Sequence, residues 1–327
     1  MKKLVTVEPK KSVLIDVDMP VIKSENDVLV KLKYCGVCMS EHHDWSTSAG
    51  NYSAGHEPMG IVAAVGNAVK KVKVGDRVTG LFSGCAEYVI AHQINVFKIP
   101  DNVPDEAATV EPLACLLSAV SKVRIPVIGD RVAVVGCGYM GCGAISLLKM
   151  RGAYVVAVDI NPLALENAKL YGADEVYTPD EVPATYKAVP GSDLGFSCGD
   201  LGFPLVMEWG ETAESLQLAL DMTAMCGQLA LGAYHNSGMR LVDVKQLNVK
   251  AIDCLNTHPR ERDLTRACCK RALELMSNGK WAYRNVKTKV FPISEFDRAH
   301  EELPEKTGKF LKAIVDWESF DGEPYII

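Results

Sequence analysis

Residues Val132-Ala133-Val134-Val135-Gly136-Cys137-Gly138-Tyr139-Met140-Gly141 restrict the fold of this chain more than any others. The apolar run calls for a buried strand, and the Gly-x-Gly-x-x-Gly after it calls for a tight turn into a helix. Gly136 permits the turn, Gly138 lets backbone approach a pyrophosphate, and Gly141 lets the helix pack close to the strand. The helix start, with Tyr139 and Met140 in its first turn, offers N–H groups and a partial positive charge to phosphates. A second strand, Tyr154-Val155-Val156-Ala157-Val158-Asp159, ends in an acid about twenty residues beyond the glycines, where a carboxylate accepts ribose hydroxyls. Asp159 would repel a 2'-phosphate and no arginine directly follows it, so NAD is expected over NADP. The alternatives are a glycine loop that serves packing only, or a sheet that binds S-adenosylmethionine or flavin.

Short apolar strands and helices alternate from Arg131 to Leu231-Gly232-Ala233, which implies a parallel sheet covered on both faces. Asn161-Pro162 is a helix start, with asparagine as cap and proline at the first helical position. The first ~110 residues read differently. Val28–Leu32, Ile61–Val65, Arg77–Leu81 and Ala86–Ile90 alternate as strands between glycines and Asn-Asp pairs, so a mostly β unit is expected there. A last helix is expected around Leu264, Ala267, Cys268, Ala272, Leu275 and Met276, stopping near Gly279, and Ala313-Ile314-Val315 reads as a terminal strand. No internal repeat or low-complexity tract interrupts this order.

At 327 residues the chain exceeds what one core supports, so two domains are expected. Its net charge of −6, with 48% hydrophobic and 23% charged residues, argues against nucleic-acid or anionic-membrane partners and for small-molecule ligands. The 11 cysteines are scattered and odd in number, which fits reduced thiols in a cytoplasmic protein better than a disulfide framework. Met1-Lys2-Lys3-Leu4-Val5 begins like a signal peptide, but Glu8, Lys10 and Lys11 interrupt it. The longest uncharged run, Val132–Leu148, approaches the length of a membrane span; its glycine pattern explains it better as strand, loop and helix.

Cys38-Met39-Ser40-Glu41-His42-His43, Gly55-His56-Glu57 and Glu111-Pro112-Leu113 bring a thiol, imidazoles and carboxylates together in the mostly β region. Catalytic zinc takes three such protein ligands and keeps a fourth position for water or substrate. Cys38 and His56 supply sulfur and nitrogen, and Glu57 or Glu111 an oxygen. Zinc lowers the pKa of a bound alcohol or water towards ~7, which provides the alkoxide that hydride release requires. Each residue also has a plainer reading. Cys35 and Cys38 form a Cys-x-x-Cys that would suit a redox pair or half of a structural zinc site, although no second Cys-x-x-Cys completes the latter. His56-Glu57 would suit an ordinary exposed pair, and Glu111 a helix start.

The Cys35–His43 run, Trp45 after it, Gly55-His56-Glu57-Pro58-Met59-Gly60, Val74-Gly75-Asp76-Arg77-Val78, Ala86-Glu87-Tyr88 and Glu111-Pro112-Leu113 together resemble the zinc-dependent medium-chain dehydrogenase/reductases, especially sorbitol and polyol dehydrogenases. The resemblance covers nearly the whole chain, with the motifs in the family's order. It implies an α/β fold: a Rossmann doubly wound parallel sheet over 118–257 and a mostly β, GroES-like catalytic domain over 1–117 and 258–327, with the active site in a cleft between domains. Cys38, His56, Glu57 and Glu111 would then be metal ligands, the two glutamates sharing the carboxylate role. Ser40 would take the proton of the reacting hydroxyl and pass it through the cofactor ribose to His43, a sensible end for a relay given histidine's ordinary pKa near ~6.5. His42 would be a bystander. Trp45 and His258 are candidates for the pocket wall and for a substrate hydroxyl's partner, with packing as the alternative.

Two departures from the family stand out. Met39 and Glu41 replace the common glycine and aspartate, and Thr79–Cys85 joins two strands directly where relatives carry a four-cysteine zinc lobe. One zinc per chain follows. The expected activity is NAD-linked oxidation of a secondary alcohol on a polyol, sugar or cyclitol, by a homo-oligomer, dimer or tetramer, as in relatives. Threonine-type amino alcohols are the alternative within this chemistry. A non-catalytic NAD-binding structural protein would be expected to have lost part of the ligand and relay set, and a zinc-free quinone or enoyl reductase would lack Cys38 and Asp159.

Overall fold

Residues 1–48, 50, 52–124, 128–189, 201–305 and 309–327 are described by a computed structural model. The chain divides into two units, Met1–Ala114 with Glu261–Ile327, and Cys115–Arg260.

The first unit opens with an antiparallel hairpin, β1 (Lys2–Glu8) and β2 (Lys11–Asp16). Strand β3 (Asp27–Val37) then runs into helix α1 (Met39–Thr47). The sheet continues through β4 (Glu57–Val65), β5 (Arg77–Gly80), β6 (Tyr88–His92) and β7 (Val96–Lys98). Val28, Val30 and Leu32 on β3 are buried at every second position, which is the alternation of a strand with one face on a core. Helix α2 (Val110–Lys122) follows.

The second unit runs β8 (Arg131–Val135), α3 (Tyr139–Met150), β9 (Tyr154–Val158), α4 (Pro162–Leu170), β10 (Glu175–Tyr177), β11 (Phe203–Glu208), α5 (Ala213–Met222), β12 (Thr223–Leu231), α6 (Val244–Lys250) and β13 (Asp253–Asn256). Its six strands lie in the order β10-β9-β8-β11-β12-β13, all parallel. Val132–Val135 and Val155–Val158 are buried without alternation, as strands covered on both faces must be. Asn161 caps α4 by accepting the N–H of Leu163, with Pro162 as its first residue. From β8 the chain steps outward to β9 and β10, then returns to place β11 on the other side of β8. That reversal leaves a crevice at the carboxyl ends of β8 and β11, where doubly wound sheets bind their ligands.

The C-terminal segment completes the first unit with α7 (Arg262–Ser277), β14 (Thr288–Pro292), α8 (Phe296–Glu302), β15 (Lys312–Asp316) and β16 (Tyr325–Ile326). The full order is β16-β14-β15-β3-β4-β5-β7, with β6 also on β3. Ala313-Ile314-Val315 is therefore an interior strand between β14 and β3, and the terminal strand is β16. Nor is α7 the last helix. The seven residues of α8, Phe-Asp-Arg-Ala-His-Glu-Glu, bury only Phe296, Ala299 and His300, too small an apolar signal to stand out in sequence. Among the described residues no helix is long and apolar enough to cross a membrane, and Val132–Leu148 is strand, turn and helix.

Candidate metal and cofactor sites

In the first unit the candidate metal cluster is assembled by the pairing of two strands. Cys38 is the N-cap of α1 just past the end of β3, and His56 and Glu57 stand at the start of β4. The β3–β4 ladder sets Gly36 opposite Glu57, which carries both ends of the motif to one place. Ligand atoms of Cys38, His56 and Glu57 all lie within 4.8 Å of one another. Glu111, in the first turn of α2, approaches from another side, its Oε2 3.9 Å from His56 Nε2. Of the two carboxylates the sequence leaves open, Glu57 is the one that falls within the tight cluster.

Glu41, which the sequence marks only as a departure, proves to be the partner of His56. Its Oε1 lies 2.7 Å from His56 Nδ1 and accepts the N–H of Gly55 at 2.7 Å. With Nδ1 donating to this carboxylate, Nε2 of His56 is the nitrogen left to bind a metal, the arrangement that orients metal-bound imidazoles generally. The signal was present: a carboxylate three residues after the cysteine lies one helical turn along from it.

Glu57 is fully buried, and its Oε2 forms an ion pair with Lys312 Nζ at 2.5 Å. Lys312, also buried, donates to the carbonyl oxygen of Val37 at 3.0 Å. Burial alone would lower the pKa of Lys312, but the charges of Glu57 and Cys38 outweigh it and hold the ammonium above its usual range. His56 behaves likewise: burial pulls it down, yet hydrogen bonds to Cys38 and Glu41 push it up to about 12. The ring is thus set among sulfur and carboxylate acceptors. Glu57 Oε1 adds a buried oxygen that has no hydrogen-bond partner among the described residues. Sulfur, nitrogen and carboxylate donors gathered within 4.8 Å, with one buried carboxylate oxygen lacking a hydrogen-bond partner among the described residues, fit a divalent zinc.

Ser40 sits beside this cluster, its hydroxyl 3.2 Å from Cys38 Sγ, and His43 is exposed on α1. Trp45 lies elsewhere. It is fully buried in the core, donates through Nε1 to Asp297 Oδ1 at 2.7 Å and stacks on His300 with ring centroids 5.0 Å apart. His42 packs against both rings, at 5.2 and 6.1 Å. Those two residues serve the packing of α1.

In the second unit the glycines shape the turn between β8 and α3. Gly136 has φ +93°, and a Cβ there would come within 2.6 Å of Gly210 N. A Cβ on Gly141 would meet Gly136 O at 1.8 Å, so the helix is held against the turn. A Cβ on Gly138, the N-cap of α3, would meet nothing within 4 Å, which leaves a cradle open beside a helix N-terminus with Tyr139 and Met140 as its first residues. Asp159 is tied into the turn. Its Oδ2 accepts the N–H of Cys137 at 2.7 Å and its Oδ1 that of Asn161 at 2.8 Å, so it pins the glycine turn while each oxygen keeps a lone pair for a ribose hydroxyl. This cradle suits a dinucleotide. His258, half-buried, packs its ring against Tyr234 with centroids 5.0 Å apart.

A dinucleotide crevice and a metal cluster on one chain are the equipment of an alcohol-type dehydrogenase, which is the class this fold defines. Residues 24–101 match the alcohol dehydrogenase GroES-like domain and residues 140–278 the zinc-binding dehydrogenase domain. The chain belongs to the zinc-dependent medium-chain dehydrogenase/reductases of the alcohol dehydrogenase superfamily, and is an oxidoreductase. Among similar proteins, the probable D-xylulose reductase A of Arthroderma otae is 28% identical, with 92% of each chain covered. The L-threonine 3-dehydrogenase of Proteus mirabilis is 27% identical over 93% of this chain and 95% of its own. The fold superposes on that of Escherichia coli L-idonate 5-dehydrogenase with a TM-score of 0.79 at 19% identity, over 97% of this chain and 98% of the other. It also superposes on an Escherichia coli alcohol dehydrogenase solved with NADH, with a TM-score of 0.80 at 20% identity over 97% and 99% of the two chains.

Proposed function

We propose that this chain oxidises a secondary alcohol on a polyol, sugar or cyclitol to the ketone, with NAD as hydride acceptor, and catalyses the reverse reduction. The observation that carries this reading is the cluster of Cys38, His56 and Glu57 with Glu111 3.9 Å from the imidazole. In this reading Cys38, His56 and Glu57 hold one zinc and Glu111 stands beside it. Zinc, when bound, supplies a Lewis acid that makes an alcohol acidic near neutral pH, and NAD supplies the hydride acceptor.

The chain's own residues do the rest. Glu41 keeps His56 in the tautomer that presents Nε2, and Lys312 offsets the charge of buried Glu57. Ser40, beside the Cys38 sulfur, takes the substrate's hydroxyl proton and passes it towards exposed His43. Gly136, Gly138 and the first turn of α3 at Tyr139, Met140 and Gly141 receive the pyrophosphate, and Asp159 the adenosine ribose.

Similarity to D-xylulose reductases supports a polyhydroxylated substrate, and similarity to L-threonine 3-dehydrogenases makes amino alcohols the second class. A panel of polyols, sugars, cyclitols and 3-hydroxy amino acids, read by NADH absorbance, decides between them. Turnover of hydroxy amino acids alone would contradict the polyol reading.

A homo-oligomer is also proposed, because Leu241 and Met239 are almost wholly exposed ahead of α6 and β13 is an edge strand of its sheet. Light scattering that finds only monomer would overturn it.

A further inference from the structure

The cofactor unit holds a buried hub that lies outside the glycine fingerprint. Glu208 ends β11 beside the crevice and is fully buried. Its main-chain oxygen accepts the N–H groups of Gly232 at 2.9 Å and Ala233 at 3.1 Å, just past β12. Its Oε1 accepts from Gly210 N at 2.7 Å, Glu211 N at 2.9 Å and Ser215 Oγ at 2.7 Å, and its Oε2 lies 2.9 Å from His235 Nε2. One residue thus ties the turn after β11 to the turn after β12. The first of these turns is built onto the glycine fingerprint itself, since Trp209 N donates to Val135 O at 2.7 Å. The two turns also touch directly, because a Cβ on Gly232 would come within 2.6 Å of the Trp209 ring.

Backbone conformation points to the same hub. Glu211, at φ 64°, and His235, at φ 50°, are non-glycine residues in the left-handed region, and each is bonded to Glu208. Such conformations persist where their surroundings over-determine them, and they gather at ligand sites. With Nε2 of His235 donating to the carboxylate, Nδ1 is left as an acceptor. That nitrogen is buried and has no hydrogen-bond partner among the described residues.

A dinucleotide whose adenosine ribose meets Asp159 beyond β9, and whose pyrophosphate meets the turn after β8, continues across the crevice to the ends of β11 and β12. We propose that His235 is a positioning residue for the nicotinamide half of the cofactor. Anchored by Glu208, it fixes the turn after β12 and offers Nδ1 to an N–H or O–H of the bound nicotinamide riboside. This inference rests on the NAD reading.

Titrating NADH and ADP-ribose separately into the whole protein, followed by quenching of tryptophan fluorescence, tests it without turnover. His235→Ala is expected to weaken NADH roughly tenfold and to leave ADP-ribose, which lacks nicotinamide, within about twofold. His235→Gln, whose amide can still donate to Glu208, recovers part of the loss. Should the alanine variant fail to fold, His235→Phe keeps the ring volume, removes both nitrogens and is read the same way. Unchanged NADH affinity, or an equal loss for both ligands, overturns the proposal. Wild-type protein that binds neither ligand overturns the NAD reading itself.

Discussion

The Glu57 carboxylate lies directly over Gly36: a Cβ on that glycine would fall 1.8 Å from Glu57 Oε2. The two residues are paired across the β3–β4 ladder, so the side chain can cross its neighbour strand only where that strand has none. The glycine between the two cysteines of Cys35-Gly36-Val37-Cys38 is thereby explained. It makes room for a buried carboxylate that reaches both the cysteine cluster and Lys312.

Lys312 is the cation that this arrangement depends on when no metal is bound. Removing one member of a buried pair typically costs about 3–5 kcal/mol, because the other charge is stranded. Lys312→Met is therefore expected to lower the thermal midpoint of chelated protein strongly and that of zinc-loaded protein much less, since zinc offsets Glu57 in its place. Equal losses in the two states would contradict the shared role.

In the proposed site Glu41 would act on the metal through His56, whose Nδ1 it holds at 2.7 Å. Glu41→Gln keeps the shape but withdraws the charge that sets the imidazole's tautomer, and such changes typically weaken metal affinity about 10- to 100-fold. Competition with a chromogenic chelator measures this. Wild-type affinity in the variant would show that the contact is incidental.

His300 gives the fold an acid-sensitive point. Burial first, then the charges of His42 and Lys312, lower its pKa to about 3, and both ring nitrogens lack hydrogen-bond partners among the described residues. The unfolded chain takes up a proton near pH 6.5 that the folded chain refuses until about 3. Stability is thus full above 6.5 and falls as pH drops through that window, by about 2 kcal/mol at pH 5 from this group alone. His300→Phe retains the packing on Trp45 and Phe296 and is expected to lose about 2 kcal/mol less than wild type between pH 7.5 and 5 in urea unfolding. Identical pH dependence would contradict it.

The cofactor sheet was legible because its signals are local: a valine run, glycines at fixed offsets and an acid at a strand end. Cys38, His56 and Glu57 were legible for the same reason, each lying in a short motif. Lys312 was not, since its bond to Val37 O spans 275 residues and nothing in Phe310-Leu311-Lys312 distinguishes it from a solvated lysine. Glu208 and His235 were hidden differently. Their contact comes from the register of β11 and β12, parallel neighbours joined through α5, and periodicity does not carry that register. Trp45 shows the converse, an aromatic close in sequence to the metal motif that helix geometry turns into the core.

The most direct test is the zinc content of protein purified without added metal, compared with that of Cys38→Ser and His56→Ala. The site predicts about one zinc per chain in the wild type and almost none in the variants, with NADH affinity preserved and polyol oxidation lost together with the metal. Metal-free wild-type protein that oxidises its alcohol at the full rate would contradict it.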